Sequence, residues 1–154
     1  MKRISVAGIE LDIDIRGNGP PMLYLHPEHY AHLHEPFINK LAEYWRVFVP
    51  RYPGFDGRRL PSQFRNVGDL SYLYLDLLDQ IDLVEVTLLG ASFGGWICLE
   101  MAVRNTTRLK SLELIAPLGN KLGSREKFDI VDLSALPDDE VASALFSETF
   151  VDLG

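Results

Sequence analysis

Cysteine is nearly missing from this sequence. Cys98 is the only one, so no disulfide can form within the chain. That suits a reducing compartment, and the cytoplasm is the expected location. Basic clusters are missing as well. Lysine and arginine total 15 against 22 aspartate and glutamate, a net charge of −7, and the two signs are interspersed. A surface that grips phosphate needs a concentrated basic patch, so neither nucleic acid nor an anionic membrane is an expected partner. No apolar run reaches the length of a membrane-crossing helix. Met1-Lys2-Arg3-Ile4 leads into an alternating pattern rather than the apolar core of a secretion signal. Repeats and low-complexity tracts are also lacking. One last lack bears on chemistry: the four histidines, His26, His29, His32 and His34, all lie early, and none follows.

What is present is the composition of an ordinary globular protein, 47% apolar and 24% charged over 154 residues, long enough for a real core. Residues 2–16 alternate, with Ile4, Val6, Ile9, Leu11, Ile13 and Ile15 on one side and Ala7-Gly8 at the turn, which predicts a β-hairpin with one wet face. Met22 to Leu25 and Arg46 to Pro50 read as buried strands, and Glu35 to about Tyr44 as a helix with Pro36 in its first turn. Leu70, Leu73, Tyr74, Leu77, Leu78 and Ile81 form one stripe of a helix from Gly68 to Ile81, with Tyr72 also expected in the core. Val84–Leu89 is a strand, Gly95 to about Asn105 a helix, and Leu112–Ala116 a further strand. Strands alternating with helices call for an α/β fold with a mostly parallel sheet and an antiparallel N-terminal hairpin. Residues 1–120 form this core. From Lys121 the character changes to a helical excursion over 121–154, with Pro137 and three acids opening a helix.

The chain is organised around Gly90-Ala91-Ser92-Phe93-Gly94-Gly95. A strand before and a helix after turn this Gly-x-Ser-x-Gly into a candidate nucleophile elbow, a corner so sharp that neighbouring backbone must come very close. Gly90 and Gly94, lacking Cβ, permit that approach. Helix N-terminal amides then point to where negative charge develops. Ligands in parallel sheets bind at the carboxyl ends of strands. The His26 loop, the Pro53-Gly54 turn, Ser92 and Pro117-Leu118-Gly119 all fall on that rim. Tyr52 and Phe55 stand there too, either as packing or as the lining of an acyl pocket.

Three segments together resemble the α/β-hydrolase superfamily: Leu25-His26-Pro27-Glu28 after the third strand, Arg51-Tyr52-Pro53-Gly54-Phe55-Asp56-Gly57 after the fourth, and the elbow after the fifth. The resemblance covers residues 2 to about 118 and lacks the family's last strands; the tail looks like the start of the helical cap that many members insert. It implies that Ser92 is the nucleophile of acyl transfer to water, acting on an ester-like or activated carbonyl of a small molecule. It implies an oxyanion hole from the backbone N–H of Phe93 and of Glu28, because Pro27 stands at the family's glycine position and has no N–H. No organic cofactor is implied.

In the family the acid and the histidine follow the serine, and here no histidine does. Three explanations are open. The chain is the N-terminal part of a larger hydrolase and inactive alone; another chain supplies the missing strands; or an upstream rim histidine (His26, His29 or His32) serves as base. The first two leave the sixth strand as an unpaired edge, so a homo-oligomer or a complementing C-terminal segment is the expected partner. A non-catalytic binding module on the same scaffold is the alternative from another class. The His26–His34 loop with Glu28 and Glu35 also reads as a metal hydrolase site, although its spacing matches no familiar ligand pattern, and no metal ligand is assigned. Cys98 and Trp96 read as packing.

Overall fold

The computed structural model describes residues 1–27, 34–55, 59–119, 123–124, 126 and 135–145. The chain divides into two compact units, Met1–Asn120 and Lys121–Gly154.

In the first unit, β1 (Lys2–Val6) and β2 (Ile9–Arg16) pair antiparallel across Ala7-Gly8. Both turn residues have positive φ, 49° and 79°, as a two-residue hairpin of primed type requires. β3 (Pro21–Leu25), β4 (Arg46–Pro50), β5 (Val86–Ala91) and β6 (Leu109–Ile115) complete a six-stranded sheet of order β1-β2-β4-β3-β5-β6. Only β1 with β2 and β2 with β4 run antiparallel; β4, β3, β5 and β6 are parallel neighbours. The α/β architecture expected from the alternation is therefore the one observed.

Side-chain alternation along the strands fills two layers. Leu23, Leu25, Val86 and Leu88 join the larger core cluster, which also holds residues of α2 (Val67–Gln80) and α3 (Phe93–Arg104). Met22, Tyr24, Val47, Val49, Leu89 and Ala91 form the second cluster with Ile38 of α1 (Glu35–Leu41). The α2 stripe behaves as its spacing predicts, with Leu70, Leu73, Tyr74, Leu77 and Leu78 buried. Tyr72 corrects the expectation: it is 57% exposed, and Arg104 stacks on its ring at 5.0 Å. Position 72 lies off the 70-73-74-77 face, so helical geometry turns it outward. Cys98 is fully buried, and burial pushes its thiol well above the ordinary range.

Two boundaries also differ. β5 starts at Val86 rather than Val84 because Asp82 and Glu85 take positive φ, 49° and 54°, which keeps the connection from α2 out of the ladder. β6 begins earlier than expected, at Leu109, with an irregularity opposite Val86–Thr87, and as the last strand of the sheet it is only half buried.

α2 is held at its start by a reciprocal cap. The Asn66 side chain accepts from the Asp69 amide at 3.2 Å, and the Asp69 carboxylate accepts from the Asn66 amide at 3.1 Å. Asn66→Ala is expected to lower stability by about 1 kcal/mol, read as a shifted urea midpoint at unchanged slope.

In the second unit, α4 spans Asp138–Leu145 after Pro137, the helix expected there. No helix among the described residues is long and apolar enough to cross a membrane.

Candidate active site

The parallel strands bring the C-terminal ends of β3, β4, β5 and β6 to one edge of the sheet, and the sequence-predicted rim assembles there. Ser92 sits between β5 and α3 with φ 49° and ψ −116°. Those angles belong to the first central position of a type II′ turn, which normally goes to glycine. The corner is fixed by main-chain bonds: the Ser92 amide donates to the Ile115 carbonyl at 3.0 Å, and the Ser92 carbonyl accepts from Leu118 at 3.0 Å and Trp96 at 3.3 Å. The loop after β6 therefore belongs to the elbow, a role the sequence alone did not reveal.

The two glycines are required by contact. A Cβ on Gly94 would lie 2.0 Å from the Leu25 carbonyl oxygen, and one on Gly90 would lie 2.7 Å from the Gly94 carbonyl oxygen and from the Gly95 Cα. Three backbone segments thus meet at the corner with no room for a side chain. The amide of Phe93 opens α3, at the positive end of the helix dipole.

His26 follows directly on β3 and is buried. Its Nδ1 lies 2.6 Å from the Pro27 carbonyl oxygen. A carbonyl only accepts, so Nδ1 is the donor in this contact. The His26 ring packs on Tyr52, centroids 4.2 Å apart, and the Tyr52 hydroxyl donates to the His26 carbonyl. Of the two open readings of Tyr52, packing is the observed one; it is 1% exposed and also meets Phe93, Phe55 and Tyr74. Phe55 remains 51% exposed. Trp96 is partly buried and donates to Glu100 at 3.2 Å.

Glu28, His29 and His32 lie outside the described residues, so the second oxyanion donor and two of the rim histidines have no described place. Among the described residues no three His, Cys, Asp or Glu side chains converge as a metal site would need. His34, at the start of α1, has its Nδ1 3.0 Å from the hydroxyl of the buried Tyr24. Desolvation holds its pKa below the ordinary value. The sign follows: between the folded and unfolded pKa values the unfolded chain binds the extra proton, so stability falls as pH drops through about 6.5. In His34→Gln the slope of stability against pH over that window is expected to flatten, as measured by urea titration at several pH values.

The comparisons with known proteins agree with this geometry. A model of the alpha/beta hydrolase family matches residues 17–151. The chain is 28% identical over 135 residues to 2-hydroxymuconate semialdehyde hydrolase from Pseudomonas sp. (strain CF600), covering 84% of this chain and 48% of that protein. It is 27% identical, again over 135 residues, to 2-hydroxy-6-oxo-2,4-heptadienoate hydrolase from Pseudomonas putida, with 84% and 49% covered. Among solved structures, the meta-cleavage product hydrolase from Pseudomonas fluorescens IP01 superposes with a TM-score of 0.71 at 22% identity, covering 92% of this chain and 53% of that one, a likeness of fold. The chain spans about half the length of the curated relatives it matches. With the elbow, the strand order and a family match over most of its length, the chain belongs to the alpha/beta hydrolase family.

Proposed function

We propose that Ser92 is the nucleophile of a serine hydrolase that acts on an ester-like or otherwise activated carbonyl of a small molecule. The observation that carries this reading is the backbone of Ser92, held in a conformation serine does not favour, at a strand-to-helix corner on the ligand-binding edge of the sheet. In the reaction Oγ bonds to the carbonyl carbon while a base takes its proton. The tetrahedral oxyanion is met by the Phe93 amide, and the leaving group departs with a proton from that base. Water then attacks the acyl-serine and regenerates the hydroxyl. Each oxyanion donor contributes about 10²–10³ in rate. The two Pseudomonas relatives above are named as hydrolases, and both names contain an aldehyde or oxo carbonyl, consistent with an activated carbonyl substrate.

No base is assigned among the described residues. We read the acid and the histidine as coming from a segment that adds to the sheet beyond β6, in a longer chain, a complementing fragment or a second copy. Residues 121–154 are then the start of a cap. Alone, the chain is expected to be inactive in turnover and to self-associate through the β6 edge; a stable, monodisperse monomer in sedimentation would count against the latter.

A fluorophosphonate probe followed by peptide mass spectrometry tests the nucleophile. An adduct on Ser92 is expected, formed faster with added imidazole, which serves as an external base. No adduct on Ser92 with or without imidazole would sink the acyl-transfer reading in favour of a binding module on the same scaffold.

A further inference from the structure

An aromatic ring left half in water at the strand-end rim requires a reason, because apolar burial is the main favourable force in folding. Phe55 is such a ring, 51% exposed in the turn after β4. It is not loose. It lies nearly parallel to Phe93, centroids 6.0 Å apart and planes 18° from one another, and meets Tyr52 edge-on at 5.3 Å and 74°. Tyr52 is buried, donates to the His26 carbonyl, and stands perpendicular to Phe93 at 5.5 Å and 89°. Three rings therefore brace one another, two of them near-parallel, and Phe93 is the residue next to Ser92.

From this arrangement we infer that Phe55 and Phe93 form an aromatic shelf that takes a flat unsaturated or aryl group of the acyl substrate, with Phe55 as the residue that sets the preference for flat over puckered groups. The inference rests on the acyl-transfer reading above and names the substrate class of that same site. Braced rings keep their faces and edges in fixed positions. A flat π-system can stack offset or edge-on against them, while a saturated ring presents staggered hydrogens and fewer close contacts. The anchor is rigid because Tyr52 is fixed to the β3 terminus, so ligand binding has little side-chain freedom to restrict at that end.

The test is a pair of ¹⁵N–¹H titrations of this chain with trans-cinnamate and with 3-cyclohexylpropionate, matched in carbon count and charge. Cinnamate is expected to bind about three- to ten-fold more tightly, the range aromatic pairing gives, with shifts at the amides of Phe55, Phe93 and Gly94. In Phe55→Ala the ratio is expected to fall to about one, and in Phe55→Tyr to persist. Equal binding of the two acids, an unchanged ratio in Phe55→Ala, or no saturable shift at those amides would overturn the shelf. Phe55 is exposed enough for the alanine variant to fold, and the dispersion of the same spectra checks it. The titration needs no reactive serine. A missing fluorophosphonate adduct with the cinnamate preference intact thus rejects the nucleophile alone, and an intact adduct with no preference rejects the shelf alone.

Discussion

Ser92→Gly is expected to make this chain more stable while removing the proposed nucleophile. At φ 49° and ψ −116° the serine occupies a region where a Cβ is strained, and such residues hold about 1–3 kcal/mol. Glycine relieves the strain but loses more backbone entropy on folding, about 0.5–1 kcal/mol. The net expectation is a gain of about 1 kcal/mol, or roughly 2–4 °C in melting temperature for a chain of this size. Fluorophosphonate capture, and any hydrolysis once a base is supplied, should fall by about three orders of magnitude or more. Ser92→Ala loses the hydroxyl equally but keeps a Cβ, so it should not gain the stability. If Ser92→Gly melts no higher than Ser92→Ala, the strain is not there, and the main structural support for the nucleophile goes with it.

Gly94→Ala is expected to have the opposite effect. The added methyl would stand 2.0 Å from the Leu25 carbonyl and 2.7 Å from the Tyr52 hydroxyl oxygen. The first of these is main chain in the second-innermost pairing of the sheet and cannot swing away. Relief requires α3 to back off from β3, with a loss of about 3 kcal/mol or more, which corresponds to roughly 6–12 °C. Gly8→Ala is the control: nothing lies within 4 Å of a Cβ there, and only its positive φ of 79° is strained, so about 1 kcal/mol is expected. Thermal melts of the two variants should therefore separate clearly, and similar melting temperatures would mean that the elbow is looser than its contacts imply.

Much of this fold was legible in the sequence because it is written in burial. The alternation of Ile9, Leu11 and Ile13 and the α2 stripe state which side chains leave water. Handedness of the main chain is written more faintly. Nothing about Glu85 advertises a positive φ, so the apolar run points to a strand start two residues ahead of the observed one. For Tyr72, an aromatic in a leucine-rich helix suggests the core, whereas its angular position puts it in solvent with Arg104. The elbow could be located because its glycines answer a steric demand that leaves a mark on residue type. The loop after β6 could not, since its contribution is made by amides and carbonyls, which every residue carries. The same limit explains Tyr52: its chemical type fits a pocket wall and a buried brace equally, and only the bond to the His26 carbonyl decides.

The stitching of Ser92 to Ile115 and Leu118 sets a minimum length for a working fragment. A shortened version ending at α3 would keep the whole Gly-x-Ser-x-Gly signature yet leave the Ser92 amide to bulk water and its carbonyl with Trp96 alone, so the corner would lose both ties to the segment after α3. Such a piece would carry the motif in its letters and lose it in its geometry.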